Sequence, residues 1–180
     1  PSDEAETRLM LSTGYQHKGP AAVRYPRGKG PGAALSGNLD TLVIGKGIIR
    51  RKGENVALLA FGSLTAAALT AAETLDATVA DMRFVKPIDE ELINQLAADH
   101  QLLVTVEESS IAGGAGAAVS EYLAQQGIVM PVLHLGLPDQ FIDHGSHPQQ
   151  LAATGLDSAG MLQAIEQRLA LLQLPSRAVK

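Results

Sequence analysis

A chain of 180 residues in which nearly half are hydrophobic but only 3% aromatic has room for one domain and a remnant of another. Its core must be Ala, Leu, Val and Ile packed between layers. The net charge of −5 offers no basic field for nucleic acid, the lack of cysteine excludes disulfides, thiolate metal sites and cysteine nucleophiles, and no stretch approaches the roughly twenty apolar residues of a membrane span. The expectation is a soluble, cytoplasmic protein with neither nucleic-acid nor membrane partners.

The chain opens at Pro1, without a methionine and in mid-stride, as a fragment of a longer polypeptide would. Ser2 to Tyr15 reads as a helix capped by Ser2 or Asp3. Glu4 and Glu6 lie in its first turn, where the dipole favours them, and Leu9, Met10 and Tyr15 face inward. Gly19-Pro20 is a turn. Ala21 to Tyr25 reads as a short strand that stops at Pro26, leaving Arg24 near a strand end. Gly28 to Leu39, rich in Gly, Pro, Ser and Asn, reads as a linker.

Gly45 to Arg51 and Asn55 to Phe61 are two strand-like runs that Lys52-Gly53-Glu54 would join as a hairpin. From Val56 the pattern alternates. Val56 to Phe61 is a buried strand, Ser63 the N-cap of a helix over Leu64 to Leu75, and Ala77 to Met82 a strand; Pro87 and Asp89 then open a helix through Ala98. Leu102 to Val106 is an unbroken apolar run, as in a strand buried on both faces. Glu107, Glu108, the glycines Gly113, Gly114 and Gly116, and an Ala-rich helix with Val119 and Leu123 inward follow it. Val132 to Leu135 is the next strand, Gly136 to Asp139 a turn, and Ser158 to Leu172 an amphipathic helix carrying Met161, Leu162, Ile165 and Leu169 on one face. Strands alternating with helices imply right-handed crossovers and an α/β fold with a mostly parallel, doubly wound sheet.

In such a sheet ligands gather at the carboxyl ends of the strands, which nominates Ser63, Arg83, Glu107, Glu108 and the loop around Asp139. Each also has a purely structural reading. Ser63 caps a helix, Arg83 pairs with Asp81 or Asp89, and Glu107-Glu108 is a solvated loop or an interface contact. Adjacent carboxylates on a strand end diverge, which argues against an acid/base dyad. The glycines admit two readings: a tight strand-to-helix turn with close packing, or a helix start that cradles a phosphate. His144 and His147 sit on a Gly-Ser loop with no third nitrogen or sulfur ligand nearby in sequence, which argues against a metal centre. His17, His100 and His134 read as isolated. Arg24 and Arg27, around a proline-stiffened turn, present planar forks suited to phosphate or carboxylate; the alternative is a salt bridge at a domain edge.

Five segments occur in an order and spacing that resembles a known family: AVRYPRG at Ala22 to Gly28, GKGIIRRKGENVALLAFGS at Gly45 to Ser63, DMRFVKPID at Asp81 to Asp89, VTVEE with GGAGAAV, and GLPDQFIDHGS at Gly136 to Ser146. Together they resemble the C-terminal part of the 1-deoxy-D-xylulose-5-phosphate synthases, thiamine diphosphate enzymes of the transketolase superfamily. The resemblance implies condensation of pyruvate with D-glyceraldehyde 3-phosphate and release of CO2, with thiamine diphosphate and Mg2+ as cofactors. It also implies a homodimer, and a phosphate-binding arginine at the first position of RYPRG, here Arg24, with Arg27 in support. The family's Gly-Asp-Gly cofactor segment with its downstream Asn, the activating glutamate and the cofactor histidines lie upstream and are absent here. The expectation is therefore that this segment alone neither binds the cofactor nor catalyses, and that its partner is the N-terminal portion of the same enzyme. By the same resemblance residues 1–39 are the end of a pyrimidine-binding α/β domain plus linker, and residues 40–180 a transketolase-type C-terminal domain. Two rivals stand beside this reading: a non-catalytic assembly module, and a nucleotide-binding regulatory domain using the Gly113 loop.

Overall fold

In the computed structural model, which describes residues 1–26, 28–35 and 37–173, the apolar runs pair into one five-stranded sheet. β1 (Ile48–Arg51), β2 (Val56–Phe61), β3 (Thr78–Asp81), β4 (Leu102–Ser110) and β5 (Val132–Leu137) stand in the order β1-β3-β2-β4-β5. The last four strands are mutually parallel, and β1 runs antiparallel along the β3 edge. The expected hairpin is therefore not formed, because β3 lies between β1 and β2. Composition explains the choice. Five of the six β2 residues are buried, so β2 takes a centre position with a parallel neighbour on each side, whereas β1, ending in Arg50-Arg51, suits an edge.

The crossovers are α2 (Thr65–Leu75), α3 (Glu90–Asp99) and α4 (Ala115–Gln125), followed by α5 (His147–Ala153) and α6 (Ser158–Leu171). Successive β2 residues alternate between two cores. Val56, Leu58 and Ala60 pack with Ala68 and Ala72 of α2 and with Met161 and Ile165 of α6. Ala57 and Leu59 pack on the other face with Ile93 and Leu96 of α3 and with Val119 and Leu123 of α4. This is the expected doubly wound arrangement. Helix α2 begins one step later than expected. A 3₁₀ turn spans Gly62–Leu64, and the Thr65 hydroxyl, rather than that of Ser63, donates to the Gly62 carbonyl at 2.7 Å. None of the helices among the described residues is long and apolar enough to cross a membrane.

Asp89 caps α3, and its carboxylate accepts from the Leu92 amide at 3.2 Å, the Gly47 amide at 2.9 Å and the Lys46 ammonium at 3.1 Å. Burial pushes its carboxyl pKa up, but these donors outweigh burial and hold it below the ordinary value.

At the amino end, α1 (Glu4–Gln16) is capped by Asp3, whose carboxylate accepts the Glu6 amide at 2.8 Å. Met10 is buried as expected, but Tyr15 is 93% exposed, so its expected inward position is corrected. Charge holds α1 against the sheet. Glu6 takes Arg83 in a bidentate pair at 2.6 and 2.9 Å, and Arg50 lies 3.6 Å from Asp3 and 3.7 Å from the fully buried Asp81. Burial pushes the Asp81 carboxyl up, and the nearby Glu6 charge adds to the shift. Residues Ala21 to Tyr25 form no strand. They pass the carboxyl ends of the sheet, where Arg24 donates to the Glu108 carbonyl. The linker beyond runs alongside α1 in the same direction, with Glu4 accepting from the Gly32 and Ala33 amides and Ser12 donating to the Leu39 carbonyl.

The turn from β4 into α4 resolves the glycine question. Buried Glu107 reaches from the strand into the first turn of α4 and accepts the Ala115 amide at 2.7 Å and the Gly116 amide at 2.8 Å. A Cβ on Gly114 would overlap the Glu107 carboxylate, one on Gly116 would overlap the Thr105 hydroxyl and lie 2.6 Å from His134 Nδ1, and Gly113 has φ +73°. The glycines therefore serve packing, and the helix amides that could have cradled a phosphate are taken by the protein's own carboxylate. His134 is wedged below, bonded to Thr105 at 2.7 Å and Ser120 at 2.9 Å. Burial pushes its pKa down against the pull of Glu107.

Two outcomes follow for urea unfolding. Asp89→Ala lowers stability at neutral pH by about 1–2 kcal/mol, as for a lost N-cap. Because the folded carboxyl pKa is depressed, that contribution is present above the ordinary value and fades as pH falls through the depressed one, so the gap between variant and parent closes in acid. Gly116→Ala costs about 1–3 kcal/mol through overpacking, whereas Gly127→Ala, with nothing near its Cβ position and φ +67°, costs only the strain of its backbone, about 1 kcal/mol.

Candidate functional site

The chain leaves β2 for α2 on one face of the sheet and leaves β4 for α4 on the other. Because β2 and β4 are neighbours, their following loops part and open a crevice between them. A cleft of about 540 Å³ lies there, lined by Arg24, Ser63, Arg83, Glu108 and Gly113 among others. Ser63, Arg83, Glu107 and Glu108, nominated for the strand ends, thus converge there together with Arg24. Asp139 does not join them; it is exposed on its own loop.

Glu108 is the centre of the arrangement. Its Oε2 accepts from the Ser63 hydroxyl at 3.1 Å, its Oε1 lies 2.7 Å from His147 Nε2, and its main-chain carbonyl accepts from Arg24 Nη2 at 3.2 Å. Three distant segments meet there: the end of β2, the start of α5, and the stretch before the linker. Glu107 points the opposite way, into α4, so the two adjacent carboxylates diverge as expected and share no proton. Ser63 is a partner of Glu108 rather than the expected helix cap.

Arg83 pairs with neither of the carboxylates expected for it. Its guanidinium is committed to Glu6, and only its amide reaches Asp81, at 3.2 Å. Its backbone is left-handed, with φ +58°, a conformation that costs a non-glycine residue roughly 1–3 kcal/mol and is held here by the Glu6 pair. Arg24 is exposed and makes a single hydrogen bond among the described residues, which leaves donors of its planar fork for an anion in the cleft. Arg27 lies outside the described residues.

The remaining histidines are structural or solvated. His17 ends α1, and His100 bridges the Leu96 carbonyl and the Thr78 hydroxyl at 2.9 and 2.7 Å. His144 is exposed, whereas His147 was missed as a partner of Glu108. The signal for it lay in Ser146-His147-Pro148-Gln149, a capping-box spacing that starts α5, with Gln149 accepting the Ser146 amide at 3.0 Å.

No group of three or more His, Cys, Asp or Glu among the described residues is arranged to hold a metal ion.

The model of the transketolase C-terminal domain family matches residues 45–161. The chain is 64% identical over 172 residues to the 1-deoxy-D-xylulose-5-phosphate synthase of Thiobacillus denitrificans, a match covering 96% of the chain and 28% of that relative. It is 62% identical over 178 residues to the synthase of the same name from Bordetella petrii, covering 99% of the chain and 28% of the relative. Among solved structures, a split-gene transketolase described as an inactive beta4 tetramer superposes with a TM-score of 0.66 at 36% identity, covering 73% of this chain and 44% of that one. The chain spans little more than a quarter of the length of the synthases it matches. It belongs to the transketolase C-terminal domain family, and its similarity over nearly its whole length is to part of the 1-deoxy-D-xylulose-5-phosphate synthases.

Proposed function

We propose that the chain is the C-terminal segment of a 1-deoxy-D-xylulose-5-phosphate synthase. Such a transferase condenses pyruvate with D-glyceraldehyde 3-phosphate to 1-deoxy-D-xylulose 5-phosphate and CO2, the first step of the non-mevalonate isoprenoid route, and also feeds thiamine synthesis. Thiamine diphosphate with Mg2+ supplies the carbanion chemistry and is held by the upstream, N-terminal portion of the enzyme, which is this segment's partner. Residues 1–39 complete the pyrimidine-binding domain and its linker, and residues 40–180 form the C-terminal domain, which supports a cytoplasmic homodimer. The segment by itself is inactive.

Arg24 is the residue that touches substrate in this reading, and Arg27 supports it. The observation that carries it is the position of Arg24: a guanidinium at the carboxyl ends of a parallel sheet, bordering the switch-point cleft and bonded, among the described residues, only to a main-chain carbonyl. A phosphorylated three-carbon acceptor offers the dianion such a fork binds best. Of the carboxylates lining the cleft, Glu107 is engaged by helix amides and Glu108 by Ser63 and His147, which leaves the exposed Glu121 of α4 as the third.

The second reading, a non-catalytic assembly module, draws on a groove between α1 and the linker whose apolar lining includes Leu11, Tyr15, Leu35 and Leu39. One experiment separates the two. In the complete enzyme, Arg24→Ala weakens the use of glyceraldehyde 3-phosphate roughly ten- to a hundredfold, the value of one charge-assisted contact of about 1.5–3 kcal/mol, and Arg24→Lys recovers only part because the fork is lost. Acceptor kinetics that do not change in Arg24→Ala favour the module.

A further inference from the structure

Arg24 makes one hydrogen bond among the described residues, and the group that accepts it is itself unusually placed. The β2–β4 ladder ends at the Phe61–Glu107 pair, and the β4–β5 ladder loses register between Val106 and Ser110. Glu108 therefore sits where β4 has left its neighbours, and its carbonyl is turned to Arg24 instead of to a strand partner. A carbonyl outside a ladder keeps its direction only if something else fixes the residue. Here the side chain does so, braced on one oxygen by Ser63 from the turn after β2 and on the other by His147 from α5.

We infer that Glu108 is a positioning residue for the phosphorylated acceptor: it braces the irregular end of β4 so that its carbonyl holds the Arg24 guanidinium facing the cleft. This rests on the reading of Arg24 as the phosphate ligand. A long arginine side chain loses rotamer freedom when it binds an anion, and a fold that has already fixed one of its N–H groups lowers that cost. The carboxylate does not touch the acceptor. Its charge is turned sideways to Ser63 and His147, and a neutral group of the same shape can do the same work.

The test is steady-state kinetics of the complete enzyme with D-glyceraldehyde 3-phosphate and, separately, with unphosphorylated D-glyceraldehyde. Glu108→Ala raises KM for the phosphorylated acceptor about three- to tenfold, the value of one side chain no longer held in place, with a smaller change in kcat and no matching rise for the unphosphorylated acceptor. Glu108→Gln, which accepts from Ser63 and donates to His147, restores the parental KM. Adding Glu108→Ala to Arg24→Ala brings no further loss, because there is then no guanidinium to position. An equal rise for both acceptors, or a Gln variant no better than the Ala variant, overturns the proposal. If Arg24→Ala weakens the phosphorylated acceptor while Glu108→Ala does not, the brace is wrong and the Arg24 reading survives. If Arg24→Ala itself has no effect, both fall.

Discussion

The structure depends on a carboxylate buried where a helix begins. Glu107 is only 4% exposed, and two α4 amides point at its carboxylate from the positive end of the helix dipole. The contact pulls α4 down onto β4, which is why Gly114 and Gly116 can carry no side chain and why the helix packs directly over Thr105 and His134. By alternation along the strand it also sends Glu108 to the opposite side, toward β2 and α5. The same bond thus closes one anion site and arranges the walls of the cleft beside it.

A second set of charges joins the amino-terminal helix to the sheet. Asp3, Glu6, Arg50, Asp81 and Arg83 meet at the end of β3, where apolar contact is slight and Met10 is the one buried hydrophobic residue of α1. Ion pairs with little exposure add modest net stability because desolvation offsets attraction, but they tolerate few alternative alignments. The junction is accordingly better at fixing where α1 lies than at holding it strongly. That matters because the segment after α1 carries Arg24 to the cleft.

Much of this was legible in the sequence because it is local. Asp3, one of the two caps the sequence offered for α1, and Asp89, expected to open α3, are short polar residues ahead of amphipathic runs, and both cap their helices. Leu102 to Val106, aliphatic or β-branched at every position, announces a central parallel strand. What the sequence hid was decided between distant residues. Ile48 to Arg51 has the same local preference whether it pairs with β2 or β3, and only the burial of β2 on both faces settles the matter. Ala21 to Tyr25 has strand propensity but pairs with no strand among the described residues. Arg24 stood out by its proline-stiffened surroundings, whereas its link to Glu108, 84 positions away, left no trace in the spacing. The glycine cluster stayed ambiguous for a related reason. Its meaning turns on which anion fills the helix start, and the answer is a side chain eight residues before the first amide.

The antiparallel edge has a consequence for how the folded chain meets its neighbours. An open sheet ends in unpaired main-chain groups, and a long flat edge invites another strand to add to it. β1 is only four residues long, slips register between Ile49 and Arg51, and ends in two arginines, one bridged to Asp76 at 2.9 Å and the other drawn toward Asp3 and Asp81. A strand so short, bent and positively charged is a poor template for unwanted strand addition, so this border of the domain resists aggregation without a covering helix.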